Sequence, residues 1–455
     1  MRVLHVIHDY LPRHRAGSEI YVQHLCNALK NRGIQIHILC AEYDPSQTHC
    51  TLNWREYEGL PIVELINNWC FGSFDETYQS ALINKRLSRV LQVVQPDLLH
   101  IHNLLNLSLD LPILALACGI PSVATLHDFT LVCPNGGQRV RPKEETVCKN
   151  IDPNKCATCF DNSPSGSQMA MAKLGLGSLG GSRLGKFSVG FRRRFPKLAA
   201  WVSQTTARHV KLPSTLPSQV TTRLLKTKEV FETIDKFVAP SAALAADFQR
   251  FGLPAGKLMV SDYGFPSVAR IGRKIRNDNI LRIGFMGTLV WHKGLHVLLD
   301  EVRALPHDCY EVRVFGDPNT FPDYVASLRA SARDLPVAFM GPFKQNKVGE
   351  IFGQFDLLVV PSLWPENSPL VIHEAFMAGV PVIGSRMGGI VDLVKHGKWG
   401  LLFDPWSHGE LRAALRSVLE DKEILNCWRK ALPIVRNIED DATQWEATYR
   451  EIMQG

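Results

Sequence analysis

The sequence has no uninterrupted stretch of ~18 apolar residues, the length a membrane-spanning helix needs. Its best candidate, Leu111 to Leu126, is short and follows Asp110 and His102. The opening MRVLHVIHDYLP breaks its apolar run with His5, His8 and Asp9 and does not read as a signal peptide, so a cytoplasmic address is expected. Without a secretory signal, eleven cysteines in 455 residues argue against a disulfide framework and leave thiols or a metal site. Asp and Glu are missing altogether from Asn162 to Lys228, a tract that holds twelve Lys and Arg. The formal charge of +7 therefore sits in this tract, and the rest of the chain is net acidic.

What is present is ordinary globular usage, 45% hydrophobic and 21% charged, in a chain long enough for two cores. Alternation of short apolar runs with helical spacing begins at once. Arg2 to Ile7 reads as a strand, Ser18 to Arg32 as a helix closed by Gly33, and Ile34 to Cys40 as a second strand. Asp97 to Ile101 and Pro121 to Leu126 continue the strands, with a helix from Leu107 to Cys118. In open parallel sheets ligands gather beyond the carboxyl ends of strands, which places His8, Asp9, His102, His127 and Asp128 at a ligand edge.

A second alternation starts after Tyr263 to Pro266 and the polar stretch Arg270 to Asn279, read as a linker. Strands are predicted over Leu281–Met286, Tyr310–Phe315, Phe355–Val360 and Val380–Gly384, with helices over Lys293–Leu305 and Phe321–Arg333. After the loop PSLWPENSP a helix is predicted with Ser368 as N-cap and Pro369 at its first position. The expected fold class is α/β: two tandem Rossmann-like, doubly wound domains facing a central cleft. Residues 1–266 form the first, 267–435 the second, and 436–455 a terminal helix that puts Trp445 and Tyr449 on one face and returns to the first domain.

The chemistry concentrates in PENSPLVIHEAFMAG. Glu366 lies in the loop and Glu374 on the second helical turn, while the backbone N–H groups of Asn367, Ser368, Pro369's neighbours and Leu370 mark a helix N-terminus suited to anionic or hydroxyl-rich ligands. A sugar diphosphate offers both. A lone exposed glutamate is usually a solvated face; two across a strand-loop-helix junction in the second half of a tandem α/β chain are more specific.

This segment resembles the Glu-x7-Glu signature of the retaining glycosyltransferases of family 4, which have the GT-B fold. Further ordered likenesses are AGSE (Ala16 to Glu19), FVAPS (Phe237 to Ser241), GTLVWHKG (Gly287 to Gly294) and GGIVDLVKHGKWGLLFDP (Gly388 to Pro405). The resemblance implies a hexosyltransferase using a nucleoside diphosphate sugar and a glycan or lipid-linked acceptor, of the kind found in cell-surface polysaccharide synthesis, with no cofactor required for catalysis. It implies that Glu374 binds the ribose, Glu366 the donor hexose, and Lys293 the leaving diphosphate, with Gly17, Gly287 and Thr288 beside the phosphates and His127 near the reacting sugar. Many family members carry arginine where this chain has Thr288, so a second phosphate cation is expected from elsewhere or from backbone N–H groups.

Two features stand apart. Cys133, Cys148, Cys156 and Cys159 follow His127 closely and end in C-x2-C, which suits a tetrahedral structural zinc; free thiols are the other reading. The basic tract, with Arg192, Arg193 and Arg194 among Phe, Leu and Trp, suits an anionic membrane surface or an acidic acceptor, and a solvated helical face reads the same; Asp128, beside His127, is expected on the acceptor side with these arginines. A nucleotide-sugar epimerase of the same architecture is an alternative function. So is a metal-stapled nucleic-acid-binding protein, but that reading explains none of Glu366, Glu374 and Lys293, and no nucleic-acid partner is expected.

Overall fold

The computed structural model describes residues 1–141, 144–163, 169, 194, 214–267, 278–344 and 347–454. Most of the basic tract, with Arg192 and Arg193, and most of the polar stretch Arg270 to Asn279 lie outside the described residues.

In the first half β1 (Arg2–Val6), β2 (Gln35–Glu42), β3 (Leu52–Tyr57), β4 (Leu60–Ile66), β5 (Leu98–Ile101) and β6 (Ser122–Thr125) lead to a minimal hairpin, β7 (Val140–Arg141) and β8 (Thr146–Val147). After the basic tract come β9 (Lys236–Ala239) and β10 (Leu258–Val260). All but the hairpin join one sheet in the order β10-β9-β6-β5-β1-β2-β4-β3, parallel except for the antiparallel edge strand β3. The second half carries β11 (Leu281–Met286), β12 (Tyr310–Phe315), β13 (Val337–Gly341), β14 (Leu357–Val360), β15 (Val382–Ser385) and β16 (Gly400–Phe403). They form an all-parallel sheet in the order β13-β12-β11-β14-β15-β16. Strands covered on both faces by helices explain the largely apolar runs, such as Leu281–Met286, in which every residue, Arg282 included, is buried.

Both sheets reverse direction at one strand pair, β1/β5 in the first and β11/β14 in the second. Crevices open at such switch points because consecutive connections there leave on opposite faces. The loops after β11 and β14 hold Gly287 and Glu366, and the loop after β1 leads into the helix that Gly17 begins.

The terminal helix, Ile438–Gln454, belongs to the first half's core: Ala442, Trp445 and Tyr449 are buried with Val3, Ile7 and Leu25. Its Tyr449 hydroxyl sits 2.6 Å from His100 Nδ1, and Phe265 pairs with the strand-like segment at Asn437 where the chain crosses back. The tract 162–228 is not wholly peripheral. Its end enters the helix Pro217–Thr233, in which Val220, Arg223 and Thr227 are buried, and Arg223 donates to the carbonyls of Thr130 and Leu131 at 2.7 and 3.1 Å. Among the described residues no helix is long and apolar enough to cross a membrane.

Candidate functional site

β14 delivers the chain into Pro361–Pro369, and the helix Leu370–Met377 follows. Pro369, with ψ 116°, is the N-cap, one residue later than the sequence suggested. Ser368 does not cap: its hydroxyl donates to Asp262 Oδ1 at 2.6 Å and lies 2.9 Å from His373 Nε2, tying the loop to the first half of the chain. The loop rests on glycines. Gly389 N–H donates to the Glu366 carbonyl at 2.6 Å, and a Cβ there would lie 1.7 Å from the Asn367 carbonyl oxygen, so no side chain fits. The expected helix from Lys293 begins instead as a short turn, Trp291–Lys293, closed by Gly294 at φ +73°, before Leu295–Val302. A Cβ on Gly294 would meet the Pro361 oxygen at 1.8 Å. This contact lays the lysine turn against the glutamate loop.

Lys293 Nζ reaches Glu366 Oε1 at 2.6 Å, and the Ser362 hydroxyl donates to the same oxygen at 2.7 Å. Glu366 is buried, while Lys293 keeps part of its side chain in the cleft and stands 5.6 Å from the centre of the Trp364 ring. The donor-side residues Gly17, Gly287, Thr288, Lys293 and Glu366 line one cavity of about 780 Å³. Asn367, Ser368, Pro369, Leu370 and Glu374 line it as well. From the first half the helix Gly17–Asn31 points its N-terminus at it, with Glu19 Oε2 accepting the Ala16 N–H at 2.9 Å to hold the turn. A Cβ on Gly17 would stand 3.1 Å from Leu370 Cδ1, so the two halves meet closely there. Arg15, unremarked by the sequence reading, lines the same cavity, is exposed, and has no hydrogen bond or ion pair among the described residues.

His127 also lines the cavity, at the end of β6. Its carbonyl accepts the Asn367 side-chain amide. Both ring nitrogens are engaged: Nδ1 lies 2.8 Å from the Tyr263 hydroxyl and Nε2 3.0 Å from His102 Nδ1. The row continues inward, His102 Nε2 lying 3.0 Å from His5 Nδ1. Burial, with the nearby charge of His8 adding to it, pushes His127 down to about 3, and burial alone pushes His5 to about 3; His100 and His102 lie well below the ordinary imidazole range for the same reason. These rings are neutral at pH 7. His5, His100 and His102 bring donor atoms within 4.8 Å of one another; five of their six ring nitrogens are engaged, with each other, His127, Thr125 and Tyr449, and His5 Nε2 is buried without a partner among the described residues. Asp128 is turned to structural work, accepting from Thr130 N–H at 2.7 Å and Asn103 Nδ2 at 2.8 Å, and burial raises its carboxyl against those bonds. Arg192 and Arg193 lie outside the described residues, and Arg194 is exposed. Cys133 and Cys148 stand in loops, while Cys156 and Cys159 share the helix Pro153–Asp161.

Residues 15–152 match the sequence model described as Glycosyltransferase Family 4, and residues 271–432 that described as Glycosyl transferases group 1. The chain belongs to glycosyltransferase family 4. This family-4 chain is 25% identical over 272 residues to the sulfoquinovosyl transferase SQD2 of Arabidopsis thaliana, covering 52% of this chain and 51% of that protein. It is 34% identical over 152 residues to the D-inositol 3-phosphate glycosyltransferase of Corynebacterium glutamicum, covering 31% and 35%. It thus matches about half or less of the length of these relatives. Among solved structures it resembles sucrose-phosphate synthase from Thermosynechococcus elongatus, with TM-score 0.64 and 16% identity over 100% of this chain and 99% of that one. It also resembles Anabaena HepE in complex with UDP-glucose, with TM-score 0.57 and 17% identity over 100% and 98%. At such identities the likeness is one of fold: the family-4 chain has the GT-B architecture.

Proposed function

We propose that this chain transfers a hexose, with retention of anomeric configuration, from a nucleoside diphosphate sugar to a glycan or lipid-linked acceptor in polysaccharide or glycoconjugate synthesis. The observation that carries the reading is the convergence of Lys293, Glu366 and Glu374 with the Gly17 turn around one interlobe cavity. Glu374 would accept the ribose hydroxyls and Glu366 a hydroxyl of the hexose. Lys293, already within reach of Glu366, would neutralise the diphosphate as its charge grows on bond cleavage, a contact stronger in the transition state than before it. Thr288 carries no charge, so Arg15, on the facing wall of the cavity, is proposed as the second cation.

No side chain needs to act as a nucleophile in this reading. The leaving phosphate takes the acceptor's proton while the acceptor oxygen bonds to the anomeric carbon from the same face. His127, with both ring nitrogens occupied, serves by holding the Asn367 end of the donor loop through its carbonyl. The four-cysteine cluster stands outside the chemistry. The basic tract around Arg192, Arg193 and Arg194 is proposed to take up the acceptor at an anionic bilayer surface.

The test is a thermal-shift screen of UDP-, GDP- and ADP-sugars, followed by product analysis with the donor that binds. UDP-glucose comes first because a fold relative was solved with it. A donor at 100 times its dissociation constant stabilises by ~2.7 kcal/mol. Absence of any shift, or a covalent glycosyl-protein adduct, would overturn the corresponding part of the proposal.

A further inference from the structure

The helix Ala81–Val94 packs on the first sheet, its Val90 and Val94 sharing a core with Leu39 of β2 and Val63 of β4. Its outward side is built differently from that of an ordinary surface helix. Leu82, Arg86, Arg89 and Val93 are exposed and recur at spacings of four, three and four, which sets them in one strip along the helix, with Lys85 next to it. The helix contains no Asp or Glu. Leu82 and Val93, 48% and 47% exposed, stand at the two ends of the strip, where polar residues are the rule. The side chains of Lys85, Arg86 and Arg89 make no hydrogen bond or ion pair among the described residues.

The edge of the sheet continues this face. Trp54 on β3 lies opposite Val63 of β4, and directly paired residues project to the same side, so Trp54 stands on the helix's side of the sheet. It is 51% exposed. Between it and the helix opens a cavity of about 620 Å³, lined by both Trp54 and Val93. No carboxylate lines it. Arg2 and Lys30 do, and their hydrogen bonds go to carbonyl oxygens, Arg2 Nη1 donating to Val94 at 2.7 Å and Lys30 Nζ to Gly59 at 2.7 Å. His37 is part of the lining too, and its Nδ1 is buried without a partner among the described residues.

We propose that the strip from Leu82 to Val93, together with Trp54 and the cavity between them, docks the chain on an anionic phospholipid bilayer. The charges demand an anionic partner, since Arg2, Lys30, Lys85, Arg86 and Arg89 meet no acid on the strip or in the cavity lining. The apolar residues decide which one. Leu82 and Val93 gain nothing from a polyanion in water, such as a nucleic acid. At a bilayer surface they pass below the phosphates into the acyl boundary while the guanidinium groups stay among the headgroups. Tryptophan, apolar in body and polar at its N–H, suits the same depth. The cavity gives a headgroup room beside the donors of Arg2 and Lys30. The helix ends beside Arg2, at the edge where the parallel strands start, so Leu82 lies towards the edge where they end and the cleft opens. Docking therefore holds the cleft edge near the bilayer, where a lipid-linked acceptor would stand. That last step rests on the acceptor proposed above; the docking face does not.

The test uses the full chain with vesicles of phosphatidylglycerol and phosphatidylcholine in equal parts, and with pure phosphatidylcholine vesicles beside them. Co-sedimentation is expected with the anionic vesicles alone and should fall as salt rises. Arg86→Glu/Arg89→Glu should weaken it by at least about thirtyfold. Leu82→Ser/Val93→Ser should weaken it by at least about fivefold at the same salt. Both variants should keep the circular dichroism and melting temperature of the parent. Vesicle binding should also bring quenching of tryptophan emission by bromine-labelled acyl chains, and Trp54→Phe should remove it. Equal binding by the parent and the arginine variant would place any membrane contact elsewhere in the chain, the basic tract included, and overturn this face. Duplex DNA that displaces the vesicles and is held more tightly than they are would make the partner a nucleic acid and overturn the bilayer. Docking with all these signs, but with transfer onto a lipid-linked acceptor no faster on vesicles than in detergent, would uphold the face and count against that acceptor.

Discussion

Lys293 Nζ lies 2.6 Å from Glu366 Oε1, so the cation proposed to meet the diphosphate is paired with the carboxylate proposed to meet the sugar. The two ligand groups of a sugar nucleotide are adjacent, and their partners are therefore adjacent too. It follows that Glu366 competes with the diphosphate for Lys293. Glu366→Gln is expected to tighten nucleoside diphosphate binding by about threefold to tenfold, because the lysine loses an anionic partner, while lowering turnover by about a hundredfold or more. Calorimetric titration with the diphosphate and initial rates with the donor separate the two effects. A variant in which affinity and turnover fall together would show that the pair is not a competition.

Arg15 offers a second charge where Thr288 offers none. Arg15→Ala should weaken nucleoside diphosphate binding by at least about fivefold, close to 1 kcal/mol, as fits an exposed cation. The bare nucleoside should bind as before. Adding Thr288→Arg to that variant should recover most of the loss, since the replacement places a guanidinium on the opposite wall of the same cavity. Equal losses for nucleoside and diphosphate would assign Arg15 to the shape of the cleft.

Why some of this was legible and some not follows from the distances involved. The β14-loop-helix segment reads from consecutive residues, since an apolar run, a Pro-rich loop and a Gly stop are local signals. Its cap was misplaced by one residue because Ser368 is recruited by Asp262, 106 positions away. The β3–β4 hairpin went unread because its two-residue turn is Glu58-Gly59, with φ of 49° and 73°, where Asn-Gly or Asp-Gly is the usual sign of such a turn. Of the histidine row, the strand-end placing of His102 and His127 at one sheet edge was legible, but their contact and the inward continuation were not. His5 and His100 become neighbours only once β1 pairs with β5 in register, and His102 joins them by standing at the end of β5. The terminal helix was legible in part, since Trp445 and Tyr449 declare an apolar face, though not that Tyr449 would bond His100.

Glu374 stands on the second turn of the helix Leu370–Met377 and lines the cavity. In the proposed reading it accepts hydrogen bonds from the ribose, each charge-assisted. Glu374→Ala should then cost ~1.5 to 3 kcal/mol in donor binding, about tenfold to a hundredfold. The discriminating comparison is with a 2′-deoxy nucleoside diphosphate. The parent protein should prefer the ribonucleotide, and the variant should bind the two alike. A variant that retains the preference would move the ribose contact to another residue.

His5 tests the buried row through stability instead of activity. Burial holds its imidazole at about 3 against an ordinary 6.5. Between those values the unfolded chain carries a proton at this position and the folded chain does not. Stability from this group is therefore complete above pH 6.5 and lost as the pH falls towards 3, at up to ~1.4 kcal/mol per pH unit for one proton. Gln at position 5 keeps a polar group opposite His102 Nε2 but takes up no proton. The unfolding free energy of His5→Gln, measured by denaturant between pH 6 and 4.5, should fall less steeply than that of the parent protein, by about one proton's slope. Parallel slopes would mean that the folded chain accepts a proton into the row, and His127 would then be open to a proton-carrying part in the transfer that its neutral, doubly bonded ring now argues against.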